Sequence, residues 1–381
     1  MFSFTRSVVG LVVLFETHER FFPRNRPLII RISHTNMVSI NIKTVLRNIK
    51  TMRSHLEKGV RFCAVVKANA YGQGDVLISR AIQSHIDMFA VARMSEALRL
   101  RAAEIFKPIL LFGVCEDYKN AIINNIIVTI GSISEMKAAC LASGSGKLCV
   151  HVKVNTGMNR FGINTPWQLR NILSYAEKYP NINICGLYTH FSHECTTPEG
   201  VIETDKQLKR FTTFRTIMRH SHPHAIVHAA CSGSSHYKPA QFDMVRVGKA
   251  MYGGFEGYRT AASVQGKIVA VRHLQKSNSF GYGSKFTASG PITIGIVSCG
   301  YSEAGYLLLG HTDHVFVDKK PCKILGTICM DVMAIDVSQI VDPLNKTVTI
   351  LGDQKGARIT DFTVKSGLSG ATLLCSLTQF Q

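Results

Sequence analysis

The sequence lacks any C-x-x-C pair and any close cluster of cysteine with histidine, although its 381 residues include 11 cysteines. The cysteines are scattered along the chain, and most lie in apolar stretches. This distribution argues against a disulfide framework and against a zinc site. It is typical of reduced core thiols, so we expect a cytoplasmic protein without a bound metal.

Acidic residues are also few, with 25 Asp and Glu against 44 Lys and Arg and a formal net charge of +19. Nucleic acid is the obvious anionic partner for such a chain. However, the basic residues occur in ones and twos, and the sequence has no basic helix, aromatic-interleaved RNA motif or helix-turn-helix signal. We expect instead a positive field that attracts anionic cofactors and carboxylate substrates, and no nucleic-acid partner.

The N-terminus offers no apolar run long enough to cross a membrane. The stretch SVVGLVVLF is far shorter than the roughly 20 apolar residues that a bilayer span needs, and no small-residue cleavage site follows it. A weak signal sequence or a surface strand are two interpretations of residues 1–36. We prefer an extension outside the fold, because Met37 opens a clean strand-and-helix sequence, and we expect no membrane partner.

The rest of the chain alternates regularly between strand-like and helix-like segments, and 46% of all residues are hydrophobic. Eight β-rich runs are separated mostly by segments with helical spacing. This pattern predicts an α/β fold with a parallel (β/α)8, TIM-like barrel over residues 37–257. Residues 258–381 consist mainly of strands joined by turns, which predicts a second, mainly β domain. The eight runs are FCAVVKA, MFAVA, PILLFG, IIVTIGS, LCVHVKV, NICGLYTHF, AIVHAACS and DMVRVG.

Polar side chains stand where these predicted barrel strands end, and the active sites of such barrels are built there. Lys67 ends an apolar strand, where loss of hydration would lower its pKa and make the neutral amine a nucleophile. Guanidinium, imidazole and hydroxyl groups and a glycine-bearing loop share the same rim. A lysine nucleophile beside a cradle of backbone N–H and hydroxyl groups suggests pyridoxal phosphate (PLP) held as a Schiff base. The other rim residues are Lys153, Arg160, His190, Ser232, Arg246 and Gly248.

Seven motifs together resemble the alanine racemase family, in the family's order and over roughly residues 37–377. They are AVVKANAYGQG, KVNTGMNRFG, THF, MVRVGKAMYG, GYGSKF, GYSEAGY and LGTICMD. The resemblance implies a PLP-dependent isomerase that interconverts L- and D-alanine by a two-base mechanism and supplies D-alanine for peptidoglycan.

The resemblance also implies roles for the cofactor-binding residues. Lys67 would bind PLP covalently and serve as one catalytic base. Tyr71 and Ser232 would bind the phosphate, with backbone help from Gly248 and Lys249.

A second set of residues would hold the cofactor ring and the substrate. Arg246 would face the pyridine nitrogen, and His190 would orient Arg246. Arg160 would approach the phenolic oxygen of the cofactor and the substrate carboxylate. Lys153, carbamylated in many family members, would hold Arg160 in place.

The predicted β domain would complete the site across a homodimer interface. The resemblance implies that Tyr282 is the second base and that the partner subunit supplies it. Tyr301 and the backbone at Met330 would complete the pocket for a small amino-acid substrate.

The chain departs from the family pattern at three places. Asn155 stands where the family often has Asp, and GYSEAGY replaces the usual Gly-Tyr-x-Asp-Gly. In the C-terminal tail, Ala371 stands where many members have a phosphate-contacting tyrosine. We therefore expect looser PLP binding than in members with the full tail.

Three alternatives remain open at this stage. A related PLP-dependent decarboxylase would place a carboxylate, not Arg246, at the ring nitrogen. A non-catalytic PLP carrier would lack the β domain and therefore Tyr282. A racemase of serine or of other small amino acids would share every motif named above.

Overall fold

The computed structural model describes residues 38–308 and 310–377, so the predicted extension at 1–36 lies outside the described residues. The first element is β1 (Val38–Ile40), followed by α1 (Ile42–Arg53), whose N-cap Asn41 accepts a hydrogen bond from the N–H of Thr44. β1 pairs antiparallel with residues 262–264 and so joins the sheet of the C-terminal region. A three-residue strand carries no sequence signal for the sheet that it joins, which is why the pattern assigned it to the barrel segment.

Eight parallel strands form a closed barrel, which confirms the fold class predicted from the eight β-rich runs. Nearly all of their residues are buried, as expected for a sheet covered on both faces. The last strand pairs with the first, with Arg246 opposite Cys63, and this pairing closes the ring. The strands are β2 (Arg61–Val65), β3 (Met88–Val91), β4 (Ile109–Leu111), β5 (Ile126–Ile130), β6 (Leu148–Lys153), β7 (Ile182–Tyr188), β8 (Ile226–Cys231) and β9 (Met244–Val247).

Helices connect most of the barrel strands, and four of them begin at a residue whose side chain accepts a hydrogen bond from the first turn. The Thr165 side chain, for example, accepts a hydrogen bond from the N–H of Gln168, and the Gln168 side chain accepts one from the N–H of Thr165. Pro166 follows at the first helical position. Only a short 3-10 helix, Lys249–Tyr252, follows the last strand, and α1 packs against it. The connecting helices are α2 (Lys67–Gly72), α3 (Asp75–Ile82), α4 (Met94–Ala102), α5 (Tyr118–Ile123), α6 (Ile133–Ser143), α7 (Pro166–Ala176) and α8 (Pro198–Ser221).

The region after the barrel is mainly β, as predicted. A seven-stranded antiparallel sheet has the order β1-β10-β13-β16-β15-β14-β17, and β17 also pairs with β10, so the sheet curls back on its longest strand. A separate two-stranded hairpin joins β11 to β12. The strands are β10 (Ala262–Leu274), β11 (Ser279–Phe280), β12 (Phe286–Thr287), β13 (Ile292–Val297), β14 (His314–Val317), β15 (Lys320–Leu325), β16 (Met333–Asp336) and β17 (Thr347–Leu351).

Three further helices complete the described chain: α9 (Tyr301–Leu308), α10 (Ile359–Ser366) and α11 (Gly370–Ser376). α11 packs against α2, the first helix after β2, so the end of the described chain returns to the barrel. The start of α11 also approaches the loop that follows the 3-10 helix after β9. Glycine is required at residue 370, because a Cβ there would lie 2.2 Å from the carbonyl oxygen of Gly254. Within residues 38–308 and 310–377, no helix combines the length and apolar character that crossing a membrane demands.

Candidate active site

A cavity of about 620 Å³ opens at the carboxyl ends of the barrel strands. Nine of the twelve predicted site residues line it, together with Ser369 and Ala371 from the C-terminal tail. The barrel topology explains this convergence, because the ends of parallel strands meet at one rim. The nine residues are Lys67, Tyr71, Lys153, Arg160, His190, Ser232, Arg246, Gly248 and Lys249.

Lys67 begins a left-handed turn directly after β2. Residues 68–71 have φ between 53° and 57°, a conformation that costs L-residues roughly 1–2 kcal/mol each. Hydrogen bonds hold the turn in place: the N–H of Ala68 donates to Glu96 Oε1 at 2.7 Å, and the N–H of Ala70 donates to the carbonyl of Val66. Both Lys67 and Tyr71 line the cavity.

The amine of Lys67 loses part of its affinity for a proton in this place. Burial lowers its pKa first, and the positive charge of Arg160 lowers it further, while Glu96 acts in the opposite direction. Glu96 is itself buried and accepts three backbone N–H bonds, from Ala68, Ala92 and Arg93. The neutral amine needed for nucleophilic attack is therefore more available than in an exposed lysine.

Tyr71, Ser232 and Gly248 form a compact cluster of polar groups on the cavity wall. The N–H of Gly248 donates to Ser232 Oγ at 3.1 Å. Glycine is required at this position, because a Cβ on residue 248 would lie 2.3 Å from Tyr71 Oη. Burial raises the pKa of Tyr71, so its hydroxyl remains a hydrogen-bond donor. Two hydroxyls beside a backbone N–H suit a phosphate group.

Lys249 follows this cluster and forms an ion pair with Glu194. Glu194 also lines the cavity. A Cβ on Gly233 would lie 2.5 Å from Glu194 Cγ, so this carboxylate packs closely on the loop after β8. The pair holds the Lys249 ammonium beside the anion-binding cluster.

Arg246 lies in the barrel interior, only 2% exposed, and its hydrogen-bond partners are neutral. Its guanidinium donates to the carbonyls of Thr189 and Ala229 and to the Nδ1 atoms of His190 and His228. Burial, followed by the charge of Arg246, lowers the pKa of both histidines well below the ordinary value, so both are neutral acceptors. Asp243, which precedes β9, forms its ion pair with Arg219 of α8 and not with Arg246.

The hydrogen-bonded chain continues from Arg246 to a second buried histidine. His228 accepts from Arg246 through Nδ1, so its Nε2 carries the proton, and this nitrogen lies 2.9 Å from Nδ1 of His151. His151 is therefore protonated on Nε2, a buried atom without a hydrogen-bond partner among the described residues. Burial lowers the pKa of His151 to about 3.

Lys153 ends β6 inside the cavity, between two aromatic rings. Its Nζ atom lies 5.3 Å from the ring centroid of Phe161 and 5.5 Å from that of Tyr188. Burial, and then the charges of Arg160, Arg246 and Lys67, lower the pKa of Lys153 to about 8. Its amine is thus partly neutral near physiological pH.

Three predicted residues do not line this cavity and lie on the surface of the β domain. Tyr282 is 74% exposed, Met330 60% and Tyr301 39%. Tyr301 and Met330 lie close together, because the N–H of Ser302 donates to the Met330 carbonyl at 2.8 Å and that of Tyr301 donates to the Cys329 carbonyl. Within one copy of the chain, the cavity therefore lacks the predicted second base.

Family models of known proteins match both the barrel and the β domain of the chain. The model of the alanine racemase N-terminal domain matches residues 40–255, and that of the C-terminal domain matches residues 261–380. The chain belongs to the alanine racemase family. This membership confirms the resemblance inferred from the seven motifs and agrees with a barrel followed by a β domain.

Relatives in the alanine racemase family match over almost the whole chain. The alanine racemase of Geobacillus stearothermophilus is 33% identical over 332 residues, covering 83% of this chain and 84% of the relative. That of Streptococcus equi subsp. zooepidemicus is 29% identical over 367 residues, covering 92% and 98%. The crystal structure of alanine racemase from E. faecalis superposes with a TM-score of 0.81 at 27% identity, covering 90% of this chain and 96% of that chain.

Sequence reasoning missed several residues of the site. Glu96 fixes the turn after Lys67, His228 and His151 support Arg246, and Glu194 pairs with Lys249. None stands within the motif matches that carried the resemblance. His151 and His228 occupy ordinary strand positions, so only the buried hydrogen bonds reveal them.

Proposed function

We propose that this protein is a PLP-dependent racemase that interconverts L- and D-alanine by a two-base mechanism and so supplies D-alanine for peptidoglycan. The observation that carries the proposal is the convergence of nine predicted residues on one cavity. As part of the same proposal, residues 37–257 form the cofactor-binding domain and residues 258–381 the β domain, with β1 contributed to the sheet of the latter.

The cavity fits PLP in the chemistry of its groups. Because Gly248 has no Cβ, the Tyr71 hydroxyl lies close to its backbone, beside Ser232 Oγ, and this grouping of two hydroxyls with a backbone N–H suits the phosphate. Lys67 supplies an amine for the aldehyde, and Arg246 supplies a permanent donor for the ring nitrogen. When bound, PLP supplies the electron sink that makes the Cα hydrogen of an amino acid acidic.

Lys67 and Arg246 have different roles in the proposed racemisation. Lys67 removes or returns a proton at Cα on one face, since its lowered pKa makes the neutral amine available. Arg246 cannot give up its proton, and so it leaves the ring nitrogen unprotonated and the electron sink weak. With PLP bound, the weaker electron sink would favour rapid return of a proton to Cα by the flanking bases over transamination. A related decarboxylase would have a carboxylate at this position, so the presence of Arg246 favours the racemase over the decarboxylase.

Lys153 supports Arg160 in this proposal, and its amine suits carbamylation. The reaction joins a neutral amine to CO2 and releases one proton, and the pKa of about 8 provides that neutral amine near physiological pH. The product is an anion, which would be stabilised by Arg160 and Arg246 in place of the repulsion that the lysine ammonium meets.

The first test removes the cofactor lysine. Lys67→Ala should abolish both the Schiff-base absorption band and racemisation, because no other amine would replace it at the aldehyde. Lys43→Ala, at an exposed position of α1, is the matched control and should keep both. A D/L assay across a panel that includes alanine, serine and other small amino acids then identifies the substrate. A Lys67→Ala protein with both signals intact would refute the assignment.

The second base is proposed to come from another copy of the chain, since Tyr282, Tyr301 and Met330 are exposed on the β domain. Homodimerisation should place these residues over the cavity of the partner subunit. Tyr282→Phe alone should retain PLP and racemise slowly.

A mixture of the inactive Lys67→Ala protein and the slow Tyr282→Phe protein tests this donation directly. In a Lys67→Ala and Tyr282→Phe heterodimer, one site combines an intact lysine with an intact tyrosine from the other copy. Mixing after dissociation should restore roughly a quarter of the wild-type rate for random pairing of two-site dimers. No restoration, with heterodimers shown by mass spectrometry, would place Tyr282 in its own subunit's site.

A further inference from the structure

Two cysteine side chains meet on neighbouring strands of the barrel, apart from the catalytic cavity. Cys149 is the second residue of β6, and Cys185 lies in β7. Both are half-buried and pack against the apolar cluster of the barrel interior. Neither lines the cavity that contains Lys67.

The two thiols lie on adjacent stretches of the neighbouring strands. The Cys185 Sγ atom lies 3.6 Å from the carbonyl oxygen of Val150, the residue that follows Cys149. Asn183 Nδ2 donates to the Cys149 sulfur, also at 3.6 Å. These contacts hold the sulfurs side by side without a disulfide.

A break in strand register brings Cys185 to this position. Val150 pairs with Ile184 while the next residue, His151, pairs with Gly186, so Cys185 is the extra residue of a β-bulge. Bulges interrupt the regular ladder and change the direction of a side chain. The local backbone is thus adapted to the contact between the two sulfurs.

The contact makes the thiols unequal. The hydrogen bond from Cys185, helped by that from Asn183 and opposed by burial, lowers the pKa of Cys149 to about 6. The same hydrogen bond raises the pKa of Cys185. Burial raises the pKa of other half-buried cysteines, such as Cys195 and Cys375. In a pair of this kind, the thiolate sulfur can attack an oxidant, and the neighbouring thiol can then form a disulfide with the oxidised sulfur.

The strand segment around Cys185 also contacts the histidines behind Arg246. Gly186 packs so closely on His151 that a Cβ there would lie 2.4 Å from the imidazole ring. His151 contacts His228, which accepts from Arg246. A shift of β7 at the bulge would therefore reach the guanidinium through two imidazoles.

We propose that Cys149 and Cys185 form an oxidisable dithiol that hydroperoxides convert to a disulfide, and that this disulfide slows the enzyme by displacing the His151–His228–Arg246 chain. With hydrogen peroxide, the Cys149 thiolate attacks one oxygen and becomes a sulfenic acid, while the O–O bond breaks and the departing hydroxide takes up a proton to leave as water. The Cys185 thiol then displaces the sulfenic oxygen as a second water, so one peroxide is reduced while two thiols become one disulfide. The effect on rate rests on the proposed racemase function, whereas disulfide formation does not.

The test treats the full-length holoprotein with hydrogen peroxide, alkylates the remaining thiols under denaturing conditions and maps peptides by mass spectrometry. The expected product links the Cys149 and Cys185 peptides with loss of two hydrogens. A several-fold loss of racemisation rate should accompany it, and a dithiol reductant should reverse both. Because the mapping needs no activity, failure of the racemase assignment would leave this readout intact.

Variants distinguish this pair from general thiol damage. Cys149→Ser and Cys185→Ser should each prevent the link and keep the racemisation rate under peroxide, and Cys322→Ser, at a buried position in β15, should leave linking unchanged. Oxidation of other cysteines before this pair, or a Cys149 that proceeds to sulfinic acid in the wild type, would overturn the dithiol. A quantitative link that leaves the rate unchanged would overturn its connection to Arg246.

Discussion

Gly248→Ala should weaken PLP binding through a steric effect on Tyr71. A methyl group at residue 248 would lie 2.3 Å from Oη, 2.7 Å from Cζ and 2.9 Å from Cε2 of Tyr71. Ordinary non-bonded carbon contacts are about 3.5–4.0 Å, so the tyrosine ring must move by roughly 1 Å. Tyr71 lies in the left-handed turn that follows Lys67, where hydrogen bonds from the turn limit any adjustment of the backbone.

The expected loss follows from the hydrogen bond that the displaced hydroxyl would give to the phosphate. A hydrogen bond to a charged group contributes about 1.5–3 kcal/mol, which corresponds to roughly 10- to 100-fold in affinity. The methyl group also overpacks a buried site, a change that typically destabilises a fold by about 1–3 kcal/mol. The apo-protein of the variant should therefore both melt at a lower temperature and bind PLP more weakly.

Equilibrium titration of apo-protein with PLP, followed by absorbance, measures this effect separately from catalysis. Gly290→Ala is the matched control, because no atom lies within 4 Å of its added Cβ and its φ is outside the left-handed range. The control should bind PLP like the wild type. Wild-type affinity in a folded Gly248→Ala protein would show that Tyr71 does not bind the phosphate.

The remaining predictions concern the ring nitrogen, the tail and Lys153. Arg246→Glu should raise side transamination relative to racemisation and change the cofactor spectrum, because a carboxylate lets the ring nitrogen keep its proton; an unchanged ratio of keto acid to racemised product would contradict it. Ala371→Tyr should tighten PLP binding by about 10- to 100-fold by adding a hydroxyl donor at the cavity wall, while Thr372→Tyr, at the exposed neighbouring position, should not. Carbon-13 NMR with labelled CO2 should show a Lys153 carbamate that persists above the lowered pKa of about 8 and declines below it as the amine protonates; a Lys153→Ala protein with the same signal would exclude this lysine.

The barrel was predictable because each of its strands is a short apolar run that ends in a polar or glycine-containing segment. Buried parallel strands need this composition, and the alternation with helices fixes their connection. β1 was not predictable in the same way, since its pairing with β10 spans more than 200 residues and rests on three backbone partners. The left-handed turn at residues 68–71 was equally hidden, because Ala and Tyr rarely adopt positive φ.

The candidate site divides along a similar line. Lys67, Arg246 and Gly248 stand at strand ends, where position alone indicates chemistry. Glu96 occupies the first turn of α4, where the sequence pattern indicates only the start of a helix. In the structure, its carboxylate accepts a hydrogen bond from the N–H of Ala68. His151 and His228 follow the strand pattern of buried residues, and their importance depends on contacts between strands far apart in sequence.

Part of the positive charge of this strongly basic chain is concentrated around the cavity. Lys67, Lys153 and Arg160 surround one space with Arg246 beneath it, and the histidines next to Arg246 are neutral. The two lysines have lowered pKa values partly because these cations repel one another. A phosphate and a substrate carboxylate would relieve that repulsion. Because anything that binds only the native state stabilises it, PLP should raise the melting temperature most where the repulsion is largest, at a pH below the pKa of about 8 of Lys153.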